Sequence, residues 1–482
     1  MSNELTKKSI NSFAWKTAQS ICSLGITFVI QLILARMLMP EDFGLVAIVN
    51  VFMTLANTVI ETSFSSAIIQ RESVSKKMLS SFFWVNVALS VSLYLALFLI
   101  APFVSVFYGE AILIPVLRMQ GLRVIVSAAY SIQQALLNRK MRFKALFFCT
   151  LIGSVVQGGV GLFMACYDKG IWALVVSSCV GSLAAGLAII VVEPWRPDVF
   201  CSFDLVREAL VFSSKILVIR VVKKIYYNIR VLMIGRVYDA EVLGYFNKGF
   251  QFPSTAMTIV DGSLTSVAFS HLSKLQSDKQ RFVASLRQYV RCAMFICMPI
   301  MVGMILVAKP MVLFLLTERW IACVPFLQII CVSQLLIPLS IKTTAFEALG
   351  RSDLSMRLNL IGIVSSILLL FISMPFSPLV MTLSGVISNL LLQICITVAA
   401  AKDLGYSMLD QCKDALCGLI PTLIMMGALF LLQLVDFQAH YLMEVVTKVT
   451  IGVVAFVLGS IVTANDVFCS ILDVAKMKFQ RN

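Results

Sequence analysis

A stretch of 37 residues recurs, without a gap, 200 positions further along this chain. Eight residues of the stretch 34–70 are identical in 234–270, where chance predicts about two or three. The identical pairs are Arg36 and Arg236, Glu41 and Glu241, Gly44 and Gly244, Phe52 and Phe252, Ala56 and Ala256, Thr58 and Thr258, Ser63 and Ser263, and Ser66 and Ser266. Both copies lie in strongly apolar sequence, which indicates a membrane protein built from two related halves, an organisation typical of transporters.

The composition supports a membrane protein. Of the 482 residues, 59% are hydrophobic and only 13% are charged, and the mean hydropathy is +0.93. A soluble protein of this length needs a more polar surface. Because a spanning helix takes about 20 apolar residues, the apolar runs predict about 14 transmembrane helices in an all-α integral membrane protein. These runs are 17–38, 43–69, 80–107, 112–137, 145–167, 170–192, 208–236, 241–270, 288–308, 321–346, 355–374, 377–401, 414–435 and 442–464.

The charges of the short connections test this helix count. Basic residues concentrate in every second connection and in both terminal tails, so that one side of the membrane carries about 22 of them and the other about 4. Such a bias places the basic side in the cytoplasm. A multi-pass protein with both termini in the cytoplasm is therefore predicted.

The repeat also predicts the domain organisation. Six spans separate the two copies, so both copies enter the membrane in the same orientation, as two parallel six-helix repeats. Arg36 and Arg236 each end a helix, and Gly44 and Gly244 each open the next one, which makes these four residues a repeated structural motif. The predicted parts are an N-terminal six-helix lobe at 1–192, a cytoplasmic linker at 193–207, a C-terminal six-helix lobe at 208–401, and helices 13 and 14 with a cytoplasmic tail at 402–482.

The seventh predicted helix, 208–236, carries the candidate substrate-binding residues. Arg220, Lys223, Tyr227 and Arg230 fall within about 80° of one another on a helical wheel, and Lys224 lies beside them. Each cation that faces lipid near the bilayer centre costs about 2.5–3.5 kcal/mol on insertion scales, so a group of them is expected to line a cavity. A cationic cavity selects an anionic, phosphate-bearing substrate. The alternative is an interfacial amphipathic helix whose basic face contacts anionic lipid headgroups.

Glu61 and its counterpart Asp261 form a second candidate site. Each lies about 8 residues from the predicted cytoplasmic end of its helix, or roughly 12 Å inside the membrane. Two interpretations stay open. The carboxylates either stabilise a helix contact, with the serines that follow them as local partners, or bind the ion or proton that couples transport.

The sequence contains no nucleotide-binding loop, no paired-carboxylate constellation and no metal-ligand framework. The extracytoplasmic connections are too short for the catalytic loop of a membrane-embedded sugar polymerase or glycosyltransferase. We therefore expect a protein that is not an enzyme, with no cofactor and no nucleic-acid partner, and with an H⁺ or Na⁺ gradient as the candidate energy source.

The run Leu34–Leu45, which reads LARMLMPEDFGL, resembles the signature of bacterial polysaccharide flippases. These form the Wzx/TuaB-like branch of the multidrug/oligosaccharidyl-lipid/polysaccharide (MOP) exporter superfamily. Further similar segments are Ala67–Arg71, Phe83–Asn86, Pro194–Pro197, Ile234–Arg236, Gly244–Tyr245, Glu318–Trp320 and Val324–Gln328.

This resemblance implies a V-shaped pair of six-helix bundles around a central cavity, followed by two extra helices. It also implies export of an undecaprenyl-diphosphate-linked oligosaccharide repeat unit across the bacterial cytoplasmic (inner) membrane by alternating access. The expected partners are the lipid-linked anionic oligosaccharide, membrane lipids, and a polysaccharide polymerase with its chain-length machinery. The superfamily also contains ion-coupled multidrug exporters, the alternative function, whose cavities should be acidic for cationic drugs.

Overall fold

The computed structural model describes the backbone of residues 22–70, 75–199, 203–433, 441–463 and 465–469. The side chains of residues 61–70, 203–216, 219, 263 and 433 lie outside this description, as do the terminal tails. Every regular element in the described residues is a helix. The predicted all-α fold class is therefore confirmed.

The chain divides by its internal contacts into two compact units, Met1–Gly244 and Tyr245–Asn482. The helices that begin in the first unit are α1 (Cys22–Met37), α2 (Pro40–Gln70), α3 (Lys76–Tyr108), α4 (Leu113–Arg139), α5 (Phe143–Cys166), α6 (Ile171–Val192), α7 (Phe203–Val237) and α8 (Ala240–Leu272). The division falls in the first turns of α8. The lobe boundaries drawn from the repeat stay a prediction.

The second unit holds the remainder of α8 and the later helices. These are α9 (Lys279–Leu315), α10 (Cys323–Gln334), α11 (Ile341–Ala348), α12 (Ser352–Ser373), α13 (Pro378–Leu404), α14 (Met408–Ala415), α15 (Leu419–Gln433) and α16 (Tyr441–Val462). Two short 3₁₀ turns, Glu318–Trp320 and Ile337–Ser340, precede α10 and α11.

Among the described residues, 11 helical segments are long and apolar enough to cross a membrane, and α1 is a shorter apolar helix. The helices α7 and α8 are not among these 11. The undescribed side chains of both helices are not counted. In the described residues, each of the predicted runs nevertheless consists mostly of helix. The predicted run 321–346 is interrupted between α10 and α11, where Pro338 lacks the N–H that a continuous helix needs.

The two repeats use the same kind of polar contact between helices. In the first unit, the Gln120 amide of α4 donates to the Ser178 hydroxyl of α6 at 2.9 Å. In the second unit, the Asn389 amide of α13 donates to the Ser333 hydroxyl of α10 at 2.8 Å. Amide–hydroxyl pairs of this kind hold membrane helices together where the hydrophobic effect offers no driving force.

The start of the predicted linker packs closely on the first unit. Glu193 is buried and pairs with Lys140, and with Arg142 at 3.4 Å. Asp198 pairs with Lys76 at 2.6 Å, and its carbonyl accepts from the Trp84 indole at 3.0 Å. Residues 193–199 are thus fixed to the cytoplasmic ends predicted for α3 and α4.

Candidate substrate-binding face

The repeated glycines lie at a backbone-to-backbone contact between the first turns of α2 and α8. A Cβ atom on Gly44 would lie 1.7 Å from the Ala240 carbonyl oxygen, and one on Gly244 would lie 2.0 Å from the Pro40 carbonyl oxygen. All four residues belong to the first unit, and they are equivalent in pairs across the repeat. Only glycine leaves space for carbonyl groups at these distances.

The C-terminal end of α7 is anchored in the first unit. Ile234 is fully buried, and the Tyr108 hydroxyl of α3 donates to the Leu232 carbonyl at 3.3 Å. The Arg236 guanidinium lies 5.0 Å from the centre of the Phe107 ring, a cation–π contact. Arg36, its counterpart in α1, is exposed. The α7 helix therefore has a fixed position along its last turns.

The predicted cationic residues sit further back along α7, where the helix surface is open. Arg220, Lys223 and Lys224 are exposed, and Tyr227 is 71% exposed. The apolar face is open as well, since Val222 is 52% exposed. Exposure alone therefore does not separate a cavity wall from a lipid-facing surface. The charges make the distinction, because cations tolerate lipid poorly whereas valine prefers it.

Arg230 differs from the other cations because it is partly buried. Its Nε atom is inaccessible to solvent and has no hydrogen-bond acceptor in the part of the chain that the structure describes. Buried donors are normally paired. The Arg230 Nε is an exception to this rule among the described residues.

The acid Asp261 is partly buried in α8. Its Oδ1 atom accepts from the Thr265 hydroxyl one helical turn away at 3.2 Å. Thr265 is thus a local hydrogen-bond partner of this carboxylate. The side chains of Glu61 and Ser263 lie outside the described residues.

Further cations inside predicted spans were missed by the sequence analysis. The Arg118 guanidinium of α4 lies 3.8 Å from the centre of the Phe98 ring, and its buried Nε has no hydrogen-bond partner among the described residues. Arg123 follows it on the same helix and is partly buried. A count of charges in every predicted span, not only the seventh, would have revealed both.

The second unit contains a buried polar cluster around α14. Asp414 is 4% exposed and accepts from Arg287 at 2.8 Å and from the Tyr406 hydroxyl at 2.7 Å. Lys342 is 2% exposed and donates to Thr397 at 2.9 Å and to Gln411 at 3.0 Å. Burial raises the pKa of Tyr406, which keeps its hydroxyl protonated as a donor. These contacts fasten α14 to the preceding helices.

Next to this cluster, α9, α15 and α16 form an apolar groove of about 490 Å³. Its walls include Ile300, Met304, Met425, Leu429 and Val453. Lys448 is the charged residue of the lining, and it pairs with Glu444 one turn away. The groove has the chemistry of a site for a hydrocarbon chain.

The fold and these features define an all-α, multi-pass membrane protein. Residues 33–325, more than half of the chain, match the family described as polysaccharide biosynthesis protein, and this protein belongs to that family. The resemblance seen in the sequence motifs is thereby confirmed.

One curated relative is the teichuronic acid biosynthesis protein TuaB of Bacillus subtilis, which is 23% identical over 354 residues, 73% of each chain. Among solved structures, the lipid II flippase MurJ in an inward closed conformation aligns with a TM-score of 0.77 at 17% identity, covering 94% of this chain and 99% of MurJ. An inward-facing multidrug resistance MATE transporter of the MOP superfamily aligns with a TM-score of 0.63 at 14% identity, covering 79% and 94%. At these identities the structures establish the fold alone.

Proposed function

We propose that this protein is a flippase that translocates an undecaprenyl-diphosphate-linked oligosaccharide repeat unit across the bacterial cytoplasmic membrane by alternating access. Its family membership and the polysaccharide-related name of its relative support a role in surface polysaccharide biosynthesis. The MurJ-like fold supports a lipid-linked substrate.

The observation that carries this proposal is the cationic face of α7. In the part of the chain that the structure describes, the ammonium groups of Lys223 and Lys224 and the guanidinium of Arg230 form no ion pair and no hydrogen bond. Cations on a spanning helix require water or an anionic partner. A diphosphate group supplies that partner, since arginine and lysine both bind phosphate oxygens strongly.

The apolar groove of the second unit is the observation that favours a substrate with a lipid part. A polyprenyl chain is as apolar as the Ile, Leu, Met and Val side chains that line the groove. The groove therefore supports a hydrocarbon part in the substrate.

The alternative is an ion-coupled multidrug exporter, which the similarity to a MATE transporter brings into consideration. Its cationic drugs would be repelled by Lys223, Lys224 and Arg230. The charge of the α7 face thus favours the flippase.

The energy source is part of the same proposal. An H⁺ or Na⁺ gradient would drive transport, with Asp261 as the coupling carboxylate, because an intramembrane acid can gain and lose a cation between two states. The termini would lie in the cytoplasm, and a polysaccharide polymerase with its chain-length machinery would receive the product. No cofactor and no catalytic residue enters this mechanism.

The test uses the purified protein in vesicles that contain a fluorescent undecaprenyl-diphosphate trisaccharide. Translocation is measured as the gain of label accessible to an impermeant quencher, with protein-free vesicles as the control. We expect rapid protein-dependent translocation. If the lipid stays in its leaflet while the protein exchanges H⁺ for an organic cation, the flippase is wrong and the multidrug exporter is right.

A further inference from the structure

The short helix α14 lies between two long apolar helices, α13 and α15. Three of its eight residues are charged, Asp410, Lys413 and Asp414, which is too many for the hydrocarbon core of a bilayer. A turn at 416–418 separates α14 from α15. We infer that α14 lies at the predicted cytoplasmic surface of the membrane, where its outward side binds an anionic phospholipid.

The polarity of α14 is inverted relative to that of a helix on the surface of a soluble protein. Its inward side is polar, because Gln411 and Asp414 are buried in the polar cluster described above. Its outward side is apolar, since Leu409 is 74% exposed and Met408 is exposed beside it. An apolar side is stable when it contacts the acyl chains at a membrane surface, and it is unfavourable in water.

The apolar side of α14 continues into the outward surface of α15. Leu409 is followed at intervals of seven, four and three residues by other exposed apolar side chains, which are Leu416, Ile420 and Leu423. The helix α15 belongs to an apolar segment that is long enough to cross a membrane, so lipid covers its exposed side. The same lipid layer therefore covers the exposed side of α14, and no protein partner is needed to bury it.

The charges of residues 402–416 favour an anionic lipid. Each acid of this segment is paired with an arginine. The pairs are Asp403 with Arg351 at 2.9 Å, Asp410 with Arg287 at 3.4 Å, and Asp414 with Arg287 at 2.8 Å. The two lysines, Lys402 and Lys413, are exposed, and their ammonium groups form no ion pair and no hydrogen bond among the described residues.

Two positive charges without a protein partner thus lie in the same segment as an apolar surface. Anionic phospholipids have the complementary parts, a negatively charged phosphate headgroup and hydrocarbon chains. Each lysine near the membrane surface contributes about fivefold to the affinity for an anionic lipid. A zwitterionic lipid offers the same hydrocarbon but no net charge, so we expect weaker binding of that lipid.

The experiment places a tryptophan on the outward side of α14 in the full chain. Leu409→Trp is reconstituted into vesicles of phosphatidylglycerol and phosphatidylcholine, and one of the two lipids carries brominated acyl chains that quench tryptophan. The fluorescence quenching beyond that of the wild-type protein is measured. We expect strong quenching, with a preference for phosphatidylglycerol of about fivefold for each lysine that contributes. Ser277→Trp, in the exposed connection between α8 and α9, is the control and should show little quenching.

Further variants assign the preference to the two lysines. Lys402→Gln and Lys413→Gln, each combined with Leu409→Trp, should each reduce the preference for phosphatidylglycerol about fivefold. Lys274→Gln removes an exposed lysine from the connection between α8 and α9 and should keep the full preference. All three lysines are exposed, so the folded protein should tolerate each substitution.

The outcomes separate a lipid site from its alternatives. If Leu409→Trp is quenched no more than Ser277→Trp, protein and not lipid covers this side of α14, and the inference is wrong. Equal quenching by the two brominated lipids also overturns it, because α14 would then contact lipid without distinguishing its charge. A preference that Lys274→Gln lowers as much as Lys413→Gln would reflect the overall charge of the protein and would overturn the site at α14. None of these outcomes bears on the proposed flippase.

Discussion

The first helices of the two repeats, α1 and α7, have the same place in the duplicated sequence and very different surfaces. Both end three residues before the turn that opens α2 or α8, and both lead into the same Gly44 or Gly244 contact. The cations Lys223, Lys224 and Arg230 of α7 have no cationic equivalents in α1, whereas Arg236 corresponds to Arg36. Where α7 has Lys223, Lys224, Tyr227 and Arg230, α1 has Ser23, Leu24, Thr27 and Ile30.

This difference separates residues that the fold needs from residues that the substrate needs. The glycine pair is kept in both copies because the backbone contact leaves no space for a side chain. The α1 helix shows that the same place in the repeat can be filled without intramembrane cations. We therefore expect the positive charges of α7 to serve binding rather than folding, and four predictions can break or sharpen that distinction.

The largest effect is expected at the shared glycines. Gly44→Leu should abolish folding, because the Cβ of the leucine would overlap the Ala240 carbonyl. The free-energy cost of this overlap should exceed the value of about 1–3 kcal/mol that is usual for overpacking. The measurement is the yield of monodisperse protein and its thermal unfolding in detergent. Gly262→Ala is the control, since open space surrounds that helical glycine. Wild-type stability of Gly44→Leu would contradict the contact.

The next effect is expected at the cation that is partly buried. Arg230→Ala should slow translocation about a hundredfold by removing charge-assisted bonds to the diphosphate. Arg220→Ala should act in the same direction. Lipid-linked precursor should then remain in the cytoplasmic leaflet, where leaflet-specific labelling detects it. Ile229→Ala, the neighbouring apolar position, is the control. If the arginine variants and Ile229→Ala transport equally well at matched expression, α7 does not line the substrate path.

A smaller effect is expected when α7 is made to resemble α1. Lys224→Leu introduces the residue that α1 has at the equivalent position, so folding should be unaffected. Transport of the diphosphate-linked substrate should fall about fivefold to tenfold with the loss of one charged contact. Thermal unfolding and transport are measured on the same preparation. A large loss of stability in Lys224→Leu would mean that the charge supports the fold after all.

The smallest effect on basal transport is expected at Asp261. Asp261→Asn keeps an oxygen that can accept from Thr265, so the folded protein should retain its stability and bind substrate. It should lose gradient-driven accumulation in vesicles with an imposed H⁺ or Na⁺ gradient, because the amide cannot exchange a cation. Asp168→Asn, in an exposed connection, is the control. If the accumulation by Asp261→Asn still depends fully on the gradient, Asp261 is a packing residue and not the coupling carboxylate.

Much of the architecture follows from local sequence. Each predicted run coincides with helix because a chain in the membrane must satisfy its backbone hydrogen bonds internally. A proline alone does not decide where a helix is interrupted, since the helix breaks at Pro338 but α9 continues through Pro299 and Pro310. Whether a proline breaks a membrane helix depends on neighbouring helices that can satisfy the freed backbone groups.

The candidate site was predictable in part. The cluster on α7 stands out because charges are rare in apolar sequence, and its face follows from helical spacing. The separation of Arg230 from the exposed lysines was not predictable, because burial depends on the helices packed around it. The buried Lys342 is a similar case, since its acceptors Thr397 and Gln411 are more than 50 residues away in the sequence.

The sequence by itself determined the membrane class, the duplication and the family. Those properties depend on composition, hydropathy and motifs, which are read one segment at a time. The tertiary structure decided that Gly44 and Gly244 meet at a backbone contact and that Thr265 satisfies Asp261. It also decided that Arg230, unlike Lys223 and Lys224, lies partly buried. The physical reason is that contact and desolvation depend on residues far apart in sequence, which only the packed helices bring together.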